Sequence, residues 1–143
     1  MEGRLSLQTL LVVITAFTNL AFVIFIVTAR KNRNESSRYF IFLILNLVAW
    51  MTANYFCDHS SGNMVLYWNR ITFAVASLQF QVFMFAWYFP KETWKMSKYL
   101  KWGLILFSFS VAFLSLFSSL IVNHVESYSW GSNAVPGKLY FIF

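Results

Sequence analysis

The chain is poor in charge, and poorest in acid. Asp and Glu number five in 143 residues, Lys and Arg eleven, and charged residues make up 11%, against roughly 25% in a soluble globular domain. The five acids are Glu2, Glu35, Asp58, Glu92 and Glu126, and all lie outside four long stretches that contain no Lys, Arg, Asp or Glu. A proton-coupled transporter therefore lacks its usual membrane-buried carboxylate. The absence of Lys from the same stretches excludes a retinal Schiff base there. A single cysteine excludes an internal disulfide. Five glycines form no phosphate-cradling loop, and two histidines form no ligand-bearing helix face. No catalytic constellation is present, so the chain is not expected to be an enzyme, and neither a cofactor nor a metal is expected.

What fills the space is apolar: 59% of residues are hydrophobic, with 17 Phe, 7 Tyr and 6 Trp. A water-soluble fold of this length could not hide so much apolar surface. The charge-free stretches are 5–29, 39–57, 71–90 and 102–125, of 25, 19, 20 and 24 residues. About 20 apolar residues rising 1.5 Å each cross a hydrocarbon core of ~30 Å as a helix. The expected fold is all-α: a multi-pass transmembrane bundle with helices at about 6–29, 38–57, 66–89 and 98–123. Pro90 stops the third, because proline cannot donate to the preceding turn. A loop over 123–138, with turn residues Ser132-Asn133 and Pro136-Gly137, leads into Leu139-Tyr140-Phe141-Ile142-Phe143. That reads as the start of a fifth helix at about 139, and the chain reads as the front part of a longer one.

The basic residues are unevenly placed. Segment 30–38 holds Arg30, Lys31, Arg33 and Arg38, and segment 91–101 holds Lys91, Lys95, Lys98 and Lys101. The N-terminal tail, segment 58–70 and the C-terminal tail hold one each: Arg4, Arg70 and Lys138. By the positive-inside rule loops 30–38 and 91–101 are cytoplasmic, and the N-terminus, loop 58–70 and the final tail face outward. The expected location is the cytoplasmic membrane. Aromatic belts agree, with Tyr39, Trp87, Tyr88, Trp94, Tyr99 and Trp102 inside and Tyr55, Tyr67, Trp68, Tyr128 and Trp130 outside. The net charge of +6 thus serves topology and anionic headgroups, and nucleic acid is not an expected partner. Val27-Thr28-Ala29 has the look of a signal-peptide cleavage site. The apolar run before it is too long, and Met-Glu-Gly-Arg lacks net positive charge, so a spanning helix is expected instead.

Polar residues within the spans are the candidate site. Asn46, Trp50 and Asn54 recur every four residues and share one face of helix two. Helix three carries Ser77, Gln79 and Gln81, and helix one carries Thr18 and Asn19. Amides in hydrocarbon need partners, so these should face the bundle interior. Either they make interhelical hydrogen bonds, or they line a polar-aromatic pocket for a small ligand arriving from the outer side. Such a pocket would use Asn46, Trp50, Asn54, Trp68, Arg70 and Gln79. Asp58 and Arg70 close one end of the helix two–three hairpin and form a candidate ion pair, or else stand as two solvated charges. Cys57, Asp58, His59 and His124 are metal-ligand types on one side, but their spacing fits no zinc pattern. Asn34-Glu35-Ser36 is a glycosylation sequon, discounted because it falls in the predicted cytoplasmic loop.

Trp68-Asn69-Arg70 opening helix three, and Phe85-Ala86-Trp87-Tyr88-Phe89-Pro90 closing it before a basic loop, resemble the seven-helix N-terminal sensor region of bacterial membrane histidine kinases. Trp50 in helix two and Val135-Pro136-Gly137-Lys138-Leu139-Tyr140 before a further helix look similar to the same family, and the likeness covers about 35–143. The resemblance implies a membrane-embedded input module whose output domain lies beyond residue 143. It also implies seven helices, and hence a cytoplasmic C-terminus. The chain departs from the family by lacking a proline in helix three around Gln79–Val82. Neither His59 nor His124, both expected outside, fits the phospho-accepting histidine. The alternative is a small four-helix membrane protein acting as a transporter subunit or an oligomeric scaffold. The lipid bilayer is the one partner common to both readings, and a homodimer is compatible with either.

Overall fold

A computed structural model describes residues 2–29, 34–89, 96–128 and 131–142. Pro90, the basic residues Arg30, Lys31, Arg33, Lys91 and Lys95, and the aromatics Trp94 and Trp130 lie outside the described residues. The elements are α1 (Glu2–Ala29), α2 (Glu35–His59), α3 (Asn63–Ser77), α4 (Phe80–Tyr88) and α5 (Lys98–Phe117), then β1 (Val122–Tyr128) and β2 (Gly131–Pro136). Four helical segments are long and apolar enough to cross a membrane: Thr9–Ala29, Glu35–His59, Asn63–Tyr88 and Lys98–Phe117. The all-α, multi-pass architecture expected from the charge-free runs is the architecture found. A fifth helix is not shown; Tyr140–Ile142 makes one 3-10 turn.

The helix limits follow from local chemistry. α2 starts at Glu35 rather than Arg38, because Asn34 Oδ1 accepts from the Ser37 N–H at 2.9 Å and so satisfies a donor of the first turn. Glu35 then sits favourably at the positive end of the helix dipole. Gly62, with φ +60° and ψ −138°, turns the chain between α2 and α3 in a conformation open to glycine alone. The third span is broken at Leu78–Gln79, without proline or glycine. There Leu78 N–H donates to Val75 C=O at 3.1 Å and Val82 N–H to Gln79 C=O at 2.9 Å, a tightened three-residue spacing. Ser77 Oγ stitches the break by donating to Ala74 C=O at 2.7 Å.

α5 ends at Phe117, six residues before the expected 123. Ser118 folds back, its Oγ 2.6 Å from Leu114 C=O, and accepts from Leu120 N–H at 3.3 Å. Beyond α5 the expected loop is instead an antiparallel hairpin, with Val125 opposite Ala134 and Tyr128 opposite Gly131, and an irregularity between Val122 and His124. That extra residue leaves Asn123 and His124 consecutively exposed, as a bulge requires. The hairpin returns onto the end of α5: Gly137 N–H donates to Ile121 C=O at 2.8 Å and Leu139 N–H to Leu120 C=O at 2.7 Å.

The helices alternate in direction. Thr9 of α1 meets the Tyr55 hydroxyl near the end of α2 at 2.9 Å, and Phe22 meets Phe40 edge-on at 6.1 Å. Glu35 at the start of α2 lies 3.4 Å from Lys101 at the start of α5. The last turns of α1 and α4 and the first turns of α2 and α5 therefore share one end of the bundle, the basic end, and the α2–α3 turn and the hairpin share the other. Small residues set the contacts. Ala53, Cys57 and Ala74 are buried between α2 and α3, and Ser108, Ala112 and Ser115 form one buried stripe on α5, letting backbones approach as membrane helices do. Two apolar clusters result. Tyr39, Met84 and Tyr88 pack near the basic end; Val111, Ile121 and Val122 pack beneath the hairpin. Large side chains such as Phe17, Ile24, Phe42, Leu106 and Phe113 point outward, where a bilayer is their natural solvent.

Candidate functional site

Between the two clusters the bundle is not filled. A groove of about 550 Å³ runs between α2, the broken third span and α5. From α2 it takes Tyr39, Phe42, Asn46 and Ala49, spaced three and four apart so that they share one face. α5 contributes Ile105 and Phe109, and the third span contributes Val75, Leu78, Phe80 and Gln81 from either side of its break. The break has a direct effect here. It separates α3, which packs on both α2 and α5, from α4, which packs on α2 and meets α5 only slightly, and the space between α2 and α5 is left open at that level.

Gln81 is the unusual residue of this wall. Only 3% of its surface is exposed, and its side-chain oxygen is shut from solvent with no hydrogen-bond partner among the described residues. An unpartnered amide carbonyl in apolar surroundings costs about 1–3 kcal/mol, a cost the fold could avoid with Leu or Met. Rotation about the terminal side-chain bond exchanges Oε1 and Nε2, so this amide can turn either an acceptor or a donor to a neighbour. Asn46 is the second amide of the lining, and no charged side chain is among the residues that form it.

The other expected site residues are dispersed. Trp50 is 42% exposed, Asn54 is half-buried and Gln79 is exposed at the break. Trp68 stacks on Phe56, with centroids 4.6 Å apart. Arg70 turns to the hairpin and donates from Nη2 to Val122 C=O at 3.4 Å, a long bond. The ion pairs among the described residues are Glu35–Arg38 and Glu35–Lys101, with His124–Glu126 a third when the imidazole is protonated, so the Asp58–Arg70 pair is not formed. The geometry explains why: Arg70 reaches the hairpin backbone, and Asp58 remains exposed. Of the six residues expected to share a pocket, only Asn46 lines this groove, and it does so with Gln81 rather than Gln79.

Further polar residues settle locally. Thr18 donates to Ile14 C=O and Asn19 to Thr15 C=O on their own helix, which satisfies them without an interior position. Cys57 is turned inward, its sulfur 3.2 Å from the Asn69 amide, and the His59 ring lies back on Tyr55 with Nδ1 2.8 Å from Tyr55 C=O. Those neighbours in sequence therefore diverge in space. At the basic end Tyr39 and Tyr88 stack in parallel, and Lys101 lies over both rings. Sequence spacing gave no sign of that cluster or of the groove, because both depend on where the third span breaks.

No family model matches the sequence, and neither a curated protein nor a solved structure matches it.

Proposed function

We infer that the chain is the membrane-embedded input region of a bacterial signalling protein of the histidine kinase type. In this reading the basic end faces the cytoplasm, the hairpin faces outward, and a state change in the bundle is relayed to a cytoplasmic output domain encoded beyond residue 143. The observation that carries the reading is the placement of α4. This helix of nine residues, about 13 Å long at 1.5 Å per residue, touches the groove at one end through Phe80 and Gln81 and the tyrosine stack at the other through Tyr88. Its hinge at Leu78–Gln79 separates it from α3. A short rigid element hinged at mid-span, with one end in a cavity and the other at the basic end, suits a two-state relay. The motifs Trp68-Asn69-Arg70 and Phe85-Ala86-Trp87-Tyr88-Phe89-Pro90, which bracket this span, give the same reading from the sequence.

The test begins with the reading frame downstream of the Phe143 codon. Three more hydrophobic segments and then a cytoplasmic output domain are expected; an immediate stop overturns the sensor reading in favour of a small four-helix membrane protein. In the full-length protein, Tyr88→Leu should change the output while leaving membrane insertion intact. Unchanged output in this variant would remove α4 from the relay.

A further inference from the structure

We propose that the pocket between the last turns of α1, the first turns of α2 and the end of α4 holds one membrane phospholipid. An acyl chain lies among its phenylalanine rings, and the phosphodiester sits at Ser36 and the N-terminus of α2. This stands on the multi-pass architecture and not on the signalling reading, so each can fail without the other.

The pocket measures about 370 Å³, within the range of small-molecule sites, roughly 300–1,000 Å³. Its floor is aromatic. The Phe40 ring of α2 meets Phe22 of α1 edge-on with centroids 6.1 Å apart, and Phe85 of α4 at 5.0 Å. Phe89 stacks on Phe85 at 5.3 Å. Phe22, Phe25 and Phe89 are among the outward-facing large side chains, so the pocket opens sideways to the hydrocarbon. From Phe22 to Ala29 the α1 wall rises about 10 Å, at 1.5 Å per residue. It stops at Ala29, where the first span ends, beside Ser36, where the second begins. The ring-lined part thus lies within the bilayer and the Ser36 part at headgroup level.

Ser36 supplies the recognition. It lines the pocket and is 8% exposed. Its hydroxyl makes no hydrogen bond among the described residues, yet it is not sealed from solvent as the Gln81 oxygen is. In the same first turn Asn34 satisfies the Ser37 N–H through its side chain and the Arg38 N–H through its carbonyl. The N–H groups of Glu35 and Ser36 have no carbonyl of the helix to donate to. Donors gathered at the positive end of a helix dipole suit an anionic oxygen. The nearby charges agree, since Glu35 stands between two cations, Arg38 at 3.8 Å and Lys101 at 3.4 Å. A phosphodiester supplies the oxygens and its acyl chain the apolar half. A phosphate-free lipid or an apolar helix would cover the rings and leave the donors unmet, and a free phosphate would do the reverse.

The experiment uses the full chain in dodecyl maltoside, a detergent without phosphate, and two photoreactive lipids with the same diazirine-bearing acyl chains. One is a phosphatidylglycerol, the other the matching diacylglycerol, and labelled residues are mapped by peptide mass spectrometry. The phosphatidylglycerol should label Phe22, Phe25 and Phe85 at least about threefold more than the diacylglycerol, the ratio expected of one membrane hydrogen bond. Ser36→Val should remove most of that preference and Ser36→Thr should keep it, a contrast that general attraction of anionic lipid to the basic end would not produce. Equal labelling by the two lipids overturns the proposal in the parent chain, with no variant needed. So does a preference undiminished in a Ser36→Val protein whose circular dichroism matches the parent's. Competition by millimolar inorganic phosphate would overturn it in favour of a free anion, and crosslinks joining two copies at these residues would do so by assigning the pocket to a dimer. Because labelling needs no output domain, a negative result here leaves the signalling reading standing, and a stop codon after Phe143 would leave a positive labelling result intact.

Discussion

The rings of Tyr39 and Tyr88 lie parallel to within 1°, with centroids 5.8 Å apart. Lys101 Nζ sits 5.5 Å from one centroid and 5.9 Å from the other, and Glu35 lies 3.4 Å from the same ammonium. One cation thus ties α2, α4 and α5 together at the basic end, through ring faces that attract positive charge. Stacked rings of this kind contribute about 0.5–1.5 kcal/mol beyond their area. Tyr88→Leu should lower the stability of the detergent-solubilised protein by that order, read as a lower thermal midpoint, while Tyr88→Phe should stay close to the parent. If Tyr88→Phe were as damaging as Tyr88→Leu, the hydroxyl and not the stack would hold the joint.

Gly137 makes a sharper prediction. A Cβ at this position would collide with the carbonyl groups of Leu120 and Ser119, all backbone, which cannot swing aside as a side chain can. The same place carries the Gly137–Ile121 and Leu139–Leu120 hydrogen bonds. Gly137→Ala should therefore detach the return of the hairpin and speed limited proteolysis between about 122 and 138 several-fold, with the helical content by circular dichroism unchanged. A cleavage rate equal to the parent's would mean that the hairpin does not dock through this contact.

Legibility divides along physical lines. Length and absence of charge decide where a chain can cross a bilayer, so the four spans were readable from composition alone. The start of α2 is less legible: Asn34 caps the helix through the Ser37 N–H, whereas the charge pattern places the start at Arg38. The break at Leu78–Gln79 has no local sign, since neither residue is a helix breaker; it falls where the span stops packing closely on α5 and continues on α2 alone. The hairpin was masked because Leu120-Ile121-Val122 continues the apolar run of α5 and the bulge at Asn123 spoils the strand's alternation. The sequence reading puts Gln79 in the pocket, though nothing local separates it from Gln81. One side of the break turns Gln81 into the wall and leaves Gln79 exposed, a distinction only the fold makes.

Arg70 and Asp58 give a clean discrimination. Arg70 meets the Val122 carbonyl, and Asp58 forms no ion pair with it. Arg70→Gln should weaken hairpin docking by about 0.5–1.5 kcal/mol, the value of an ordinary hydrogen bond, seen as faster hairpin proteolysis. Asp58→Asn should change nothing measurable. Equal effects from the two variants, with no further loss in the double variant, would restore the ion pair.

Sidedness can be read with thiols. Cys57 is buried, so the parent should react poorly with a membrane-impermeant maleimide. Asn133→Cys, on the exposed part of β2, should be labelled in intact cells, whereas Ser97→Cys, exposed before α5, should be labelled only after permeabilisation. The reverse pattern would invert the proposed orientation and with it the cytoplasmic position of the Tyr39–Tyr88–Lys101 joint.

Gln81 differs from an ordinary buried side chain in the sign expected when it is replaced. Substituting a buried side chain usually destabilises, by about 0.5–3 kcal/mol. Here the native side chain carries a carbonyl with no partner among the described residues, and removing an unmet polar group in favour of an apolar one of similar size returns roughly 1 kcal/mol or more. Gln81→Leu should therefore raise the thermal midpoint of the ligand-free protein, measured in detergent by the loss of helical signal. Gln81→Ala should lower it, because the deleted volume enlarges the groove with no packing gain to offset it. A drop in both variants would mean that the amide is satisfied within the bundle.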